Sequence, residues 1–92
     1  PLTDVMEGPN DISVTVELPG VEKEDIDLRV TEDELEITVD TAERKYHKTV
    51  DFSGDVKPKT TKATYKNGIL DVVVQRKKPE KKDEDGYHVD IN

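Results

Sequence analysis

The side chains that most often carry out catalysis are few in this chain. It has two histidines, His47 and His88, two serines, Ser13 and Ser53, and no cysteine. A histidine acts as a general base only when a hydrogen-bond partner positions it beside the proton it removes. His47 lies in an alternating segment and is predicted to face solvent from a strand, whereas His88 lies near the chain end with no scaffold around it. This inventory predicts a protein that is not an enzyme.

Runs of charged residues are the next candidates for a binding site. Acidic residues cluster at 22–27 and 32–36, and residues 83–86 are similar to the start of a calcium loop whose later ligands are missing. Basic residues cluster at 76–82, but acids follow at once and no base-stacking aromatic residue accompanies them. We therefore expect solvated charge and a flexible linker here, with no metal, no cofactor and no nucleic acid.

The length and composition allow one small domain. The chain has 92 residues, of which 39% are charged and 32% hydrophobic, with a formal net charge of −8. Leu, Ile, Val and Phe number 23, enough for a modest core but not for a deep enclosed pocket. No apolar run is long enough for a membrane span, and the lack of cysteine fits a reducing compartment, so we expect a cytoplasmic protein. The first residue is Pro, so we expect that an N-terminal part has been removed.

Charge is unevenly distributed along the chain. Residues 1–43 carry 14 acids and 2 bases, residues 44–82 carry 12 bases and 4 acids, and residues 83–92 carry 4 acids. The resulting charges of −12, +8 and −4 add to −8. Segments of opposite sign attract each other either within one domain or across two subunits, and the arrangement within one domain is favoured.

The elements that position these residues are predicted to be strands. Val and Ile total 17 residues against 8 for Leu, Ala and Met together, which favours β-structure because branching at Cβ suits a pleated strand. Apolar and polar residues alternate through most of the chain, with turn residues between the alternating runs. Seven short strands are predicted, and they indicate an all-β antiparallel sandwich: residues 2–6, 11–18, 26–30, 35–39, 46–52, 61–65 and 69–75.

The connections carry recognisable turn chemistry. Pro19-Gly20 predicts a type II turn, and residues 21–25 predict a single helical turn. Asn67-Gly68 predicts a type I′ hairpin between the last two strands. Residues 72–74 are all Val, so the last strand is predicted to be the best covered of all.

The end of the chain carries a small apolar feature. Residues 76–85 are charged and lack apolar side chains, so they cannot fold alone. Val89 and Ile91 are spaced by two and project to the same side of an extended segment. Two apolar side chains on a tether suit docking by strand addition into an apolar groove, although the residues alone favour a chance remnant.

Three segments resemble a known family. Residues 63–70 read Ala-Thr-Tyr-Lys-Asn-Gly-Ile-Leu and resemble the signature A-x-x-x-N-G-[IV]-L of the α-crystallin domain in small heat shock proteins, of prokaryotic or archaeal type. Residues 17–26 resemble the family's L-P-G-[FV]-x-K-E-D-I segment. Residues 89–91 resemble its C-terminal I-x-[IV] motif. These segments occur in the family's order and span nearly the whole chain.

The resemblance implies an immunoglobulin-like sandwich over residues 1–75 and a flexible extension over residues 76–92. It implies an ATP-independent holdase whose partners are partly unfolded client proteins and other copies of itself. In the family, the tail motif docks into a groove on a neighbouring subunit. Carried over, the tail would contribute Val89 and Ile91, and the groove would be lined by Leu28, Val30, Ala63 and Tyr65.

The dimer mode departs from part of the family. Many members exchange a strand held in a long loop, but only residues 40–45 are present here, too few to reach across and pair. Pairing of the 44–52 strand with its own copy, as in animal members, and a monomer both stay open. The candidate dimer edge comprises Arg44, Tyr46 and Lys48, and Lys48 stands where the animal proteins have an interfacial arginine.

A second hypothesis is a co-chaperone adaptor of the CS type, which has the same sandwich but works as a monomer bound to a larger ATP-driven chaperone. The tail motif and the 63–70 signature favour the holdase. A third, a metal or carbohydrate module, lacks ligand clusters and stacking aromatics.

Overall fold

The computed structural model describes residues 2–79 and 89–92. All seven predicted strands are present, and their bounds differ from the sequence prediction by at most one residue. Two single-turn 3-10 helices, Lys23–Asp25 and Pro58–Thr60, lie in the connections, the first of them within the predicted helical turn. The strands are β1 (Thr3–Glu7), β2 (Asp11–Glu17), β3 (Ile26–Val30), β4 (Glu34–Asp40), β5 (Lys45–Asp51), β6 (Lys62–Lys66) and β7 (Ile69–Gln75).

The strands form two antiparallel sheets packed as a sandwich, which confirms the predicted all-β fold. One sheet has four strands in the order β1-β2-β7-β6, and the other has three in the order β3-β4-β5. The three-stranded sheet is a meander of consecutive strands. The four-stranded sheet instead joins strands from both parts of the chain that flank this meander.

The core lies between the sheets, where the alternating apolar residues of the central strands meet. Every second residue of β2 and β4 is fully buried, while the residues between them face outward. Because directly paired residues share a face, the inward residues of β2 and β7 form one continuous apolar layer. The buried core comprises Ile12, Val14, Val16, Leu18, Leu35, Ile37, Val39, Val50, Val56, Leu70, Val72 and Val74.

The turn residues adopt the conformations that their types predict. Gly20 has a φ of +80°, as the third position of a type II turn requires. Asn67 and Gly68 have φ values of 52° and 76°, so both central residues of the β6–β7 hairpin are left-handed, as in a type I′ turn. The Asn67-Gly68 turn fixes the register of β6 and β7, whereas the Pro19-Gly20 turn lies in the connection between the two sheets.

The prediction for β7 is only half right. Val72 and Val74 are 1% exposed, but Val73 is only half-buried, because no layer formed by the described residues covers the outer face of the four-stranded sheet. The charge of Arg76 assigns it to the predicted extension. In the structure, however, Arg76 is 7% exposed and forms an isolated β-bridge with Val56. The ordered sandwich therefore continues one residue past the predicted boundary.

Candidate docking groove

An apolar groove opens along one rim of the sandwich, between the edge strands β3 and β6. Neither edge strand has a second neighbour in its own sheet among the described residues. The groove has a volume of about 240 Å³. It is lined by Lys23, Ile26, Leu28, Ala63, Thr64, Tyr65 and Leu70.

A small residue on β6 keeps this groove open. Ala63 pairs with Val72 of β7, so its methyl group lies on the core-facing side of the sheet, yet Ala63 is exposed. Across the gap, Ile26 and Leu28 are only half-buried. A larger side chain than alanine would extend across the rim towards β3. The apolar surface of β3 therefore stays accessible.

Tyr65 closes one end of the groove and fixes the segment that leads into β3. Its hydroxyl oxygen lies 2.5 Å from the carbonyl oxygen of Leu18 and 3.0 Å from that of Val21. The hydroxyl donates to these carbonyl groups from β6, which belongs to the same sheet as β2. The β2–β3 connection is thereby tied to the four-stranded sheet at the point where the chain crosses to the other sheet.

The two segments that carry the sequence signatures touch each other at this end. The backbone N–H of Leu18 donates to the carbonyl oxygen of Gly68 over 2.7 Å. A Cβ on Gly68 would lie 3.4 Å from the Cα of Pro19, and its φ of 76° is also unfavourable for other residues. The Pro-Gly turn and the Asn-Gly hairpin are thus packed together, which explains physically why each has its residue types.

The structure brings together three of the four residues predicted for the groove. Leu28, Ala63 and Tyr65 line it, while Val30 lies further along β3, half-buried against the core, and does not line it. Sequence reasoning missed Ile26 and Leu70. Two sequence signals indicate these residues: Ile26 alternates with Leu28 along β3, and Leu70 pairs with Tyr65 across the β6–β7 hairpin.

The tail residues predicted to dock are both exposed. Val89 is 65% exposed and Ile91 is 94% exposed, so neither is seated in the groove of its own chain. His88 and the greater part of the 76–85 segment lie outside the described residues. Among the described residues, neither these two apolar side chains nor the apolar groove is covered.

The residues of the predicted dimer edge lie at the opposite rim. Arg44 precedes β5, in a turn closed by hydrogen bonds with Thr41. The hydroxyl oxygen of Tyr46 lies 3.4 Å from Oγ1 of Thr3, across the gap between β5 and β1. Lys48 is exposed although it pairs with the buried Ile37, so it projects from the core-facing side of an edge strand.

A larger cavity, of about 480 Å³, lies at the end of the sandwich where β7 terminates. Arg76 forms its centre: its Nε donates to the carbonyl oxygen of Gly8 over 2.8 Å, and its two terminal nitrogens lie 3.4 Å from Oγ of Ser53. These contacts tie the β1–β2 turn to the loop after β5. The described residues that line this cavity include no histidine.

The titratable groups of the described residues form no recognisable catalytic cluster. Nε2 of His47 lies 2.9 Å from Oε2 of Glu36, but both side chains are on the outer face of the three-stranded sheet and largely exposed. Within residues 2–79 and 89–92, no group of three or more His, Asp or Glu side chains is arranged to hold a metal ion. In the same residues, no helix has the length and apolar character to cross a membrane.

Comparison with known proteins places this architecture in a family. The sequence profile of the Hsp20/alpha crystallin family matches residues 4–92. The chain belongs to this family. It is 26% identical over 93 residues to a probable 15 kDa heat shock protein of Leptospira interrogans, covering 86% of this chain and 72% of that protein. Membership of the Hsp20/alpha crystallin family supports a chaperone function.

Solved structures share the family's sandwich. Heat shock protein 16.0 from Schizosaccharomyces pombe superposes with a TM-score of 0.79 and 24% identity, covering 100% of this chain and 97% of that one. The nuclear movement protein from E. cuniculi superposes with a TM-score of 0.67 and 14% identity, covering 88% and 93%. The sandwich is therefore also shared with a protein that does not carry a heat shock name.

Proposed function

We propose that this chain is an ATP-independent holdase, which binds partly unfolded proteins and keeps them from aggregating. The observation that carries the proposal is the open apolar groove between β3 and β6. Partly unfolded clients expose apolar side chains on extended backbone, which suits an edge groove with apolar walls. The absence of cysteine agrees with the reducing cytoplasm, which we propose as its compartment.

We further propose that the tail of one copy docks in the groove of another. Val89 and Ile91 are exposed apolar side chains on the same side of an extended segment, and Leu28 and Ala63 leave space for them. Burying an aliphatic side chain fully contributes about 1.5–3 kcal/mol before the cost of ordering the tail. Each docked tail is then held weakly, and an oligomer is stable because many tails are docked at once.

Docking and client binding then use the same surface. A groove occupied by a tail is closed to clients, and release of the tail opens it again. Because one docked tail contributes only a few kcal/mol, release is frequent, and a modest rise in temperature or in client concentration shifts the balance.

The alternative function is an adaptor of the CS type. Its mass in solution distinguishes it from the oligomeric holdase. A monomer would leave the groove empty and would bind one larger chaperone. The family match over residues 4–92 and the apolar tail both favour the oligomeric holdase.

The docking test removes the apolar side chains of the tail. Val89→Ser combined with Ile91→Ser is expected to lower the oligomer mass in light scattering coupled to gel filtration, with an unchanged circular dichroism spectrum. Asn92→Ser is the matched control and should leave the mass unchanged. An unaltered mass in the double variant would remove tail docking from the proposal.

The holdase test uses an aggregating client. The chain in several-fold excess is expected to suppress light scattering from a heated client protein without any nucleotide. Leu28→Asp, which places a charge in the groove, should lose this protection. Equal scattering with and without the chain would contradict the holdase.

A further inference from the structure

The turn between β6 and β7 carries a chemically reactive pair of residues. Asn67 and Gly68 are its two central residues, because Lys66 and Ile69 form the last pair of the β6–β7 ladder. Asn67 is exposed to solvent. Its side-chain amide carbon, Cγ, and the backbone nitrogen of Gly68 are near neighbours along the chain, and a bond between them closes a five-membered ring. Glycine has no side chain that would block this approach.

The observed turn lies one rotation away from the ring. In the left-handed region that Asn67 occupies, the ψ angle is ordinarily about +30° to +60°. Ring closure turns ψ to about −120°, because the ring holds Cβ and the nitrogen of Gly68 on the same side of the Cα–C bond. With a positive φ, this is the first central position of a type II′ turn. Type II′ is the other common two-residue hairpin turn, so the ring can close without separating β6 from β7.

Only the peptide group between Asn67 and Gly68 has to rotate. Among the hydrogen bonds of the described turns, none uses the carbonyl group of Asn67 or the N–H of Gly68. The carbonyl oxygen of Gly68, which accepts from the N–H of Leu18 over 2.7 Å, belongs to the next peptide group. Glycine adopts a negative φ as readily as the observed +76°. The rotation therefore breaks no hydrogen bond that holds the hairpin in place.

Asn10 provides a comparison within the same chain. It is also exposed, but the next residue is Asp11, whose side chain hinders the approach to its backbone nitrogen. The carbonyl oxygen of Asn10 accepts from the N–H of Arg76 over 2.9 Å. Since this bond holds the peptide group that would have to rotate, Asn10 is expected to be far less reactive than Asn67.

We propose that Asn67 is a site of spontaneous deamidation, which proceeds through a cyclic imide while the hairpin stays folded. The backbone nitrogen of Gly68 loses its proton to solvent hydroxide and forms a bond to Cγ of Asn67. The Cγ–Nδ2 bond breaks, and the nitrogen takes up protons from water and leaves as ammonia. This modification goes beyond the proposed function, because it requires neither a client nor a docked tail.

Water then opens the imide at either of its two carbonyl carbons. Addition at Cγ gives aspartate, and addition at the backbone carbonyl carbon gives isoaspartate, in which the chain continues through Cβ and Cγ. The net reaction consumes one water and releases one ammonia. It changes no oxidation state, so it needs no reactant other than water.

The two products differ in their effect on the hairpin. Aspartate keeps the turn, because Asp-Gly is also a preferred pair for type I′. Isoaspartate adds one carbon to the backbone of the turn. Because turn length sets the register of a hairpin, the longer turn no longer matches the ladder that begins at Lys66 and Ile69.

The surroundings of the turn leave little room for this extra length. A Cβ on Gly68 would already lie 3.4 Å from the Cα of Pro19. The isoaspartyl turn therefore strains the packing of the hairpin against the Pro19-Gly20 turn. β6, which supplies Ala63 and Tyr65 to the docking groove, is the strand next to this strain.

Peptide mass spectrometry of the full chain tests the site. The folded chain is held well below its unfolding temperature and sampled over time. We expect residue 67 to lose its amide while Asn10 keeps its own, and an isoaspartyl methyltransferase should label the product. The rate should rise with pH, because the nitrogen of Gly68 must lose its proton. An intact Asn67, or an Asn10 that reacts as fast, would overturn the proposal.

A comparison of rates tests whether the hairpin reacts in its folded form. A synthetic peptide of residues 62–73 gives the rate without the sandwich. The full chain is expected to react within about tenfold of this rate, because one peptide rotation is enough. If deamidation required global unfolding, the full chain would react more slowly by the unfolding equilibrium constant, on the order of 10³ or more. That result would contradict the imide in the folded hairpin.

Urea denaturation tests the effect of the longer turn. The isoaspartyl form, separated from the aged chain by ion exchange, is expected to unfold at a lower urea concentration than freshly prepared Asn67→Asp. This variant has the same charge and a turn of normal length. Asn67→Gly keeps a pair suited to type I′ but has no amide, so it should stay unchanged on ageing. Equal urea midpoints for the isoaspartyl form and Asn67→Asp would contradict the proposed strain.

Discussion

Strands β3 and β4 lie side by side and have the same alternating pattern, yet only one of them is covered. Leu35, Ile37 and Val39 of β4 are at most 1% exposed, whereas the matching residues of β3 are only half-buried. β4 lies between two strands, while β3 is an edge that faces a gap. Alternation thus reports which face of a strand is apolar. The position of the strand in its sheet decides whether that face is closed into the core or stays partly exposed at a rim.

The largest test of this difference replaces one residue in each strand by alanine. Ile37→Ala is expected to lower the free energy of unfolding by about 2–5 kcal/mol, because it leaves a cavity in a closed core. Leu28→Ala should cost about 1 kcal/mol, since the side chain is already partly hydrated. Urea denaturation measures both. Equal losses would show that β3 is core in the same sense as β4.

A smaller effect is expected where the groove is tied to the rest of the domain. Tyr65→Phe removes the hydroxyl that binds the carbonyl groups of Leu18 and Val21, and should lower the free energy of unfolding by about 1 kcal/mol. Tyr46→Phe is the matched control, because its hydroxyl has only a 3.4 Å contact with Thr3. Urea denaturation of the two variants should separate them. If Tyr46→Phe cost as much, the tie at Tyr65 would have no special role.

The smallest effect on stability is expected inside the groove itself. Ala63→Leu fills exposed space, so it should change the free energy of unfolding by less than about 0.5 kcal/mol. It should nevertheless weaken binding of a peptide with the sequence of residues 87–92, measured by calorimetry, by about tenfold, because the added side chain occupies the apolar space. Lys62→Leu adds the same side chain to the other face of β6 and should leave peptide binding intact. Unchanged binding in Ala63→Leu would place the peptide elsewhere.

Local structure was predictable from local chemistry. The strand bounds follow the alternation, and the turns at Gly20 and at Asn67-Gly68 follow from residue types that tolerate a positive φ. The predicted sandwich is confirmed because each short strand has one apolar face that must be covered.

The predictions that differ from the structure concern residues whose environment is set by segments distant in the sequence. Val73 looked buried because it stands between two other valines, but its side of the sheet has no covering layer. Arg76 looked like part of a linker because of its charge, but the carbonyl group of Gly8, 68 residues earlier, gives it a partner. Val30 is placed in the groove by the family resemblance, but it lies further along β3 than the residues that line the groove. In each case the missing information was which distant segment lies opposite, and one sequence does not contain it.

The division of the strands between the two sheets also sets the order in which the sheets can form during synthesis. The three-stranded meander is complete once residue 51 has been synthesised, whereas the four-stranded sheet needs β7, which ends at residue 75. Pairing of β2 with β7 closes a long loop, which makes it a late step in folding. The groove needs one strand from each sheet, so it forms only when the core has closed. In a nascent chain the groove therefore forms only after β6 and β7 have been synthesised, later than the meander that supplies its other wall.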